Sequence, residues 1–442
     1  MVYLHIPFCK SFCTYCAFYS EIFSSEQVAG YEAAVKAELR AREAEIRKTL
    51  STPTFYIGGG TPSVLPPDVL RRLVEAVADV TGGNYQEFTI EVNPDDVTPE
   101  YAAFLKDLGA TRVSMGVQSF DAQVLAWMHR RHTAEGARKA YSCLREAGFD
   151  NISVDLIFGL GGPVGPDTRS EPGMTSMDPD VRGSHGRLDR PSLEADLDAL
   201  LSLPGGPPEH ISAYQLSIEE GSALYELVRQ GRYRECDDDA AAQQYRIVCD
   251  RLRKAGYEHY EISNFARDAR SGPGMTLCGP GMTMSGASPY RAVHNSAYWS
   301  GAPYVGLGPA AHSFDGLRRS WNPADTEAYI RYWMRYPVGA GYDDVEADHP
   351  GAGYDDVETG QLDDGAPGFE VLTPEQQAME RVMLALRTAD GLSEAELRRL
   401  CGDARVDALL RQTYLEKSRI NANLRIPERH GFISDTIIAE LV

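Results

Sequence analysis

Six short β-type segments, each followed by a helical pattern, restrict this chain to a small set of folds. The candidate strands are 2–7, 54–57, 87–92, 112–117, 152–157 and 210–216, all rich in Val, Ile, Phe or Tyr. Helical periodicity fills the intervals over 26–50, 67–80, 99–108, 121–147, 193–203 and 240–255. Ser24 should cap the first helix, with Gln27 in the capping-box position. β-then-α units repeated in this way build an α/β fold with a parallel sheet, either open and doubly wound or curved into a partial barrel. In both, chemistry gathers at the C-terminal ends of the strands.

Two stretches break the alternation. Residues 161–190 and 268–288 are rich in Gly, Pro, Ser and Asp, and both contain Pro-Gly-Met-Thr, beginning at Pro172, Pro273 and Pro280. Such composition buries too little apolar surface to offset chain entropy, so both read as disordered insertions. A third segment, 339–370, has ten Asp/Glu and no Lys/Arg, and repeats Gly-Ala-Gly-Tyr-Asp-Asp-Val-Glu from Gly339 and from Gly351. It reads as a solvated acidic linker, and it carries nearly half of the net charge of −21. The expected divisions are therefore 1–265 for the sheet unit, 266–338 for a region associated with it, 339–370 for the linker and 371–442 for a small, mostly helical domain. An acidic chain without a basic stripe argues against nucleic-acid binding. No apolar run reaches the roughly 20 residues that span a bilayer, and the N-terminus lacks the pattern of a secretory signal. A cytoplasmic location is expected, where clustered cysteines serve metal or redox chemistry.

Cys9, Cys13 and Cys16 directly follow the first strand. Three thiolates this close can wrap one inorganic cluster, and the missing fourth leaves one iron open to a ligand. Zinc is the competing metal, but its sites pair such a motif with further Cys or His. The other cysteines are scattered, and His5 is the nearest completing ligand. Gly58-Gly-Gly-Thr61 follows the second strand, where absent side chains let backbone approach a ligand. Glu91, Gln118 and Asp155 end the third, fourth and fifth strands. A polar group in a β-run needs a partner, and a strand tip is where a ligand can be one. Together they argue for one pocket.

The spacing C-x3-C-x2-C resembles the radical S-adenosylmethionine (SAM) superfamily. That resemblance implies a partial (β/α)6 barrel with a winged-helix-like C-terminal domain, a 4Fe–4S cluster, and SAM chelated to the free iron through its amino and carboxylate groups. In the family, an electron from the cluster then cleaves the sulfonium bond. Gly59, Gly60 and Thr61 resemble the glycine motif for the methionine amino group. Glu91, Gln118 and Asp155 take further cosubstrate positions.

Tyr3, Tyr15 and Arg130 match cosubstrate contacts of the branch that holds oxygen-independent coproporphyrinogen III oxidases and HemW heme chaperones. Arg131 competes with Arg130 for the carboxylate-binding role, which suits a bidentate guanidinium. The oxidases continue their motif to Cys-x-Cys and carry a long N-terminal segment. Here Phe18 occupies that position and eight residues precede Cys9. Both features resemble the chaperones. So does His294-Asn-Ser-Ala-Tyr298-Trp299, an HNxxYW element in which His294 would ligate heme, with His312 as a second candidate. The resemblance thus implies heme delivery to a client apoprotein, expected to be a respiratory heme protein, with a flavodoxin-like electron donor and membrane contact only through the client. The alternative is radical oxidative decarboxylation of coproporphyrinogen III to protoporphyrinogen IX.

Overall fold

The computed structural model describes residues 1–163, 193–268, 287–335, 366–418 and 421–442. Both expected insertions and the acidic repeat fall almost wholly outside them.

All six expected strands form, as β1 (Val2–Ile6), β2 (Thr54–Gly59), β3 (Glu87–Val92), β4 (Arg112–Gln118), β5 (Ile152–Phe158) and β6 (His210–Gln215). They lie side by side in order and parallel. Their side chains alternate between a helix-covered apolar face, such as Phe55, Ile57, Phe88 and Ile90, and an inner face that is largely polar.

Three further strands complete a nine-stranded sheet. β7 (Tyr257–Glu261) and β8 (Asn264–Arg267) form an antiparallel hairpin beside β6. β9 (Val305–Leu307) joins the other edge, parallel to β1. The end strands β7 and β9 do not pair with each other, so the barrel stays partial. The expected count of six strands is therefore corrected to seven parallel strands and an antiparallel pair. β9 is only three residues long, and its buried glycine hides it from a β-propensity reading. A Cβ on Gly306 would lie 2.1 Å from the His312 carbonyl oxygen.

Two long helical expectations divide. The first becomes α1 (Ser25–Ala41) and a short helix Glu43–Lys48. Arg42 at the break is 3% exposed; it pairs with Glu38 at 3.0 Å and Glu45 at 2.8 Å and donates to Gly306 O at 2.9 Å. This buried network ties α1 to β9. The Ser24 side chain makes no cap hydrogen bond, and Gln27 donates to Glu21 instead. The stretch 121–147 becomes a short helix Ala122–Trp127 and α4 (Ala134–Glu146), with α2 (Pro67–Thr81) and α3 (Pro99–Asp107) preceding them. α5 (Leu193–Leu201), α6 (Asp238–Lys254), α7 (Val293–Trp299) and α8 (Thr326–Met334) follow. The C-terminal region is mostly helical, with α9 (Pro374–Leu386), α10 (Glu394–Cys401), α11 (Asp403–Arg411) and α12 (Ser434–Ala439). It has its own apolar cluster around Val382, Leu386, Leu397, Val406 and Leu409.

Candidate functional site

The cysteine loop leaves β1 at Pro7 and is pinned at several points. The Thr14 hydroxyl donates to Trp127 O at 2.8 Å, and Leu224 N donates to Thr14 O at 2.8 Å. The segment Phe8–Cys9 pairs with Glu21–Ile22. These contacts hold Cys9, Cys13 and Cys16 around the mouth of a cavity of about 1040 Å³ at the C-terminal ends of the strands. All three are free thiols. Burial, with the neighbouring Cys13 and Cys9 thiols, pushes Cys16 up to about 11.

Glycine is required beside them. Gly60 N donates to Ile6 O at 2.7 Å, and a Cβ there would lie 2.8 Å from Phe8 O and 3.1 Å from Cys9 Sγ. Gly59 has φ +108°, and its Cβ would strike the His5 ring at 2.6 Å. Thr61 Oγ1 is 3.4 Å from Cys9 Sγ.

Glu91, at the tip of β3, accepts from Tyr56 Oη at 2.7 Å and Gly59 N at 3.2 Å. Burial, with the nearby Asp155 charge, raises its carboxyl to about 7. Asp155 on β5 sits beside Ser114, and burial raises it to about 6. Gln118 ends β4 at a register shift, with φ +70°. A non-glycine residue held in this region marks a position the surroundings constrain.

The division of the long helix serves this site. His129 takes φ +55°, and the chain returns to place Arg130 in the cavity wall. Arg130 Nη1 is 3.4 Å from Cys13 Sγ, Nη2 donates to Gly116 O, and Nε is buried without a partner. Arg131 also borders the cavity but is paired with Asp95 at 3.2 Å and Asp96 at 3.0 Å. Of the two arginines, Arg130 is thus the one beside the cysteines, with no carboxylate among the described residues paired to it.

Tyr15, Gly59, Gly60, Thr61, Glu91, Gln118, Arg130 and Asp155 all line the same cavity as the three cysteines. Tyr3 does not; it lies behind the site, with Oη 3.0 Å from His5 Nδ1 and its ring beside Tyr56. His294 does not either. It sits on α7, which closes the opposite end of the barrel. Glu87, at the start of β3, accepts from Val293 N at 2.9 Å and His294 N at 3.0 Å. The His294 ring is buried, with Nδ1 2.8 Å from Thr54 Oγ1 and Nε2 3.0 Å from Tyr298 Oη. Both nitrogens are therefore occupied, and burial lowers its pKa to about 3. His312 is exposed, with its ring 5.9 Å from Trp321.

Sequence reasoning passed over Tyr214 and Gln215, which end β6 in the cavity wall, and Ser114 and Asn93. The strand-end rule applied to the sixth strand would have found the first two. Tyr56 carried no motif; only its bond to Glu91 reveals its place.

The donor set suits the expected groups. Cys9, Cys13 and Cys16 are the only cysteines among the described residues lining the cavity. Iron–sulfur clusters are held by such thiolates, and three leave one iron open. Two half-buried carboxylates with raised pKa values favour a cationic ligand.

The description "Radical SAM superfamily" matches residues 3–164. Over 336 residues the chain is 32% identical to the heme chaperone HemW of Bacillus subtilis (strain 168), covering 74% of each. It is 33% identical over 355 residues to the heme chaperone HemW of Mycobacterium tuberculosis, covering 78% of each. The solved structure of the coproporphyrinogen III oxidase HemN from Escherichia coli superposes with a TM-score of 0.65 at 17% identity, over 100% of this chain and 89% of that one, a likeness of fold. The family implies a 4Fe–4S cluster and SAM. The chain belongs to the radical SAM superfamily and, within it, to the family of the HemW heme chaperones.

Proposed function

We infer that this chain binds heme, a 4Fe–4S cluster and SAM, and delivers the heme to a client apoprotein. The observation that carries the cluster and cosubstrate reading is the convergence of three thiols, the glycine turn and the strand-end side chains Glu91, Gln118 and Asp155 on one cavity. When bound, the cluster supplies an electron and an open iron site to the methionine end of SAM. The protein's own part is to bind and orient. The Gly59–Gly60 backbone lets a ligand approach, Glu91 and Asp155 receive positive charge, and Arg130 receives a carboxylate.

SAM binding should therefore depend on pH. Without a bound cation, Glu91 and Asp155 carry protons up to about 7 and about 6. A cation favours their ionised forms, so binding releases protons and strengthens as pH rises through 6 to 7. Titration calorimetry in two buffers of different ionisation enthalpy measures the release. A pH-independent affinity over that range would remove both carboxylates from the contact set.

Heme binding is supported by the relatives' names and by two residues at the mouth, Phe12 and Phe18, which are 53% and 75% exposed. Such rings give a porphyrin flat apolar contact. For the axial ligand, exposure favours His312 over the buried His294. Its side chain reaches solvent, yet partial desolvation of the ring and the nearby Arg319 guanidinium lower its pKa, which keeps the imidazole neutral and able to coordinate iron. His294 becomes available only if α7 leaves Glu87. Heme added to the protein should shift its Soret band, and His312→Ala should abolish the shift. A shift that survives in His312→Ala and disappears in His294→Ala would instead assign the iron to His294 and require α7 to open. Conversion of coproporphyrinogen III to protoporphyrinogen IX, given reductant and SAM, would overturn the chaperone reading.

We propose a respiratory heme protein as the client and a flavodoxin-like protein as the electron donor. No helix among the described residues is long and apolar enough to cross a membrane. We place the protein in the cytoplasm, where reduced thiols persist.

A further inference from the structure

Three metal-binding groups meet outside the cluster cavity, beside a second cavity that shares no lining residue with it, where the C-terminal region lies against the sheet edge. Cys249 comes from α6, His259 from the edge strand β7, and Glu428 from the turn at Glu428–Ile433 that precedes α12. One ligand atom from each lies within 4.8 Å of the others. We propose that Cys249, His259 and Glu428 hold a zinc ion that fastens the C-terminal region to the partial barrel.

The spacing fits tetrahedral coordination. Zinc bonds of about 2.3 Å to sulfur and about 2.0–2.2 Å to nitrogen and oxygen place the sulfur and nitrogen about 3.6 Å apart, and the nitrogen and oxygen about 3.3 Å apart. Here Cys249 Sγ is 3.9 Å from His259 Nδ1, and Nδ1 is 3.3 Å from Glu428 Oε1. The second ring nitrogen, Nε2, is 3.3 Å from Ile262 O. With the proton on Nε2, that carbonyl accepts it and the Nδ1 lone pair faces the thiol and the carboxylate. Metal-bound histidines are oriented in this way. The ring is also clamped, stacked on Phe265 at 4.2 Å. Arg253 donates to the other oxygen of Glu428, which leaves Oε1 for the metal.

The site has room and a further polar wall. His259 and Glu428 border a cavity of about 50 Å³, which also holds Glu261, and Glu261 Oε1 is buried without a hydrogen-bond partner. That volume accommodates a water as fourth ligand. A thiolate, an imidazole and a carboxylate together select zinc over magnesium or calcium.

The competing occupant is a proton, which would make the cluster an ion pair centred on His259. The test uses the full chain with its iron–sulfur cluster in place, so that Cys9, Cys13 and Cys16 are occupied. After incubation with zinc chloride and desalting, the parent should retain about one zinc per chain, and Cys249→Ala and Glu428→Gln none, with iron content equal in all three. Zinc should raise the melting temperature of the parent alone. Glu428→Gln removes only a partly exposed carboxylate charge, so a folded variant is available even if Cys249→Ala misfolds. A parent that retains no zinc, or variants that retain as much, would overturn the proposal. So would a melting temperature that falls in Glu428→Gln equally with and without zinc.

Discussion

Cys13→Ala should leave the reconstituted protein with almost no iron, where the parent should hold about four irons per chain. The argument is one of ligand number. A cluster held by three protein thiolates has no spare protein ligand, and Cys9, Cys13 and Cys16 are the only cysteines among the described residues lining this cavity. Two thiolates leave two irons open, and solvent then dismantles the cluster. The chain itself should remain folded. Cys13 lies in a loop, partly exposed; among the described residues its thiol meets only Arg130, at 3.4 Å, and the loop is pinned through Thr14 to Trp127, Met128 and Leu224. Loss of one such side chain costs the iron-free protein about 0.5 kcal/mol or less. Iron analysis, visible absorbance and urea unfolding separate the two effects. A full cluster in Cys13→Ala would refute the ligand assignment; a misfolded chain would show that the loop needs the thiol for packing. Cys401→Ala is the matched control, since its thiol is partly exposed like that of Cys13 but lies outside the cavity, and iron content should be unchanged.

The cysteine motif and the strand ends were legible because their meaning is local. A β-run of branched residues forms a strand almost wherever it sits, and a polar residue at its tip is placed by the parallel register. Glu91, Gln118 and Asp155 reach one cavity for that reason. What resisted reading was non-local. Gln118 takes a left-handed φ that its residue type does not announce. The 121–147 stretch has continuous helical periodicity, yet it divides where His129 reverses the chain to bring in Arg130. β9 depends on buried Glu38 and Arg42, charges that a hydrophobic pattern counts as surface. The HNxxYW element shows the limit most clearly. Its residue types suit heme, but nothing in six residues says which end of a barrel they close. That is settled by Glu87, some two hundred positions earlier, whose carboxylate receives the first amides of α7.

The placement of His294 gives the second large effect. His294→Ala should destabilise the fold by about 2–4 kcal/mol at neutral pH. It removes a buried ring and leaves Thr54 Oγ1 and Tyr298 Oη without their partner inside the barrel. The penalty should also shrink in acid, and the sign follows from linkage. His294 has a folded-state pKa lowered to about 3 from an unfolded value near 6.5. A group lowered on folding contributes stability above the unfolded pKa, and that contribution is lost as pH falls towards the folded one. At pH 5 the parent has therefore lost about 2 kcal/mol that alanine never had, so the difference between the two proteins narrows by that amount. His5, His132 and His210, also lowered by burial, lose stability over the same range in both proteins and cancel in the comparison. Urea unfolding at pH 7.5 and pH 5 measures the narrowing. A penalty equal at both pH values would show that His294 is not held neutral in the barrel floor. A small penalty at pH 7.5 would show that α7 is already loose, and would return His294 to contention as the residue that meets heme.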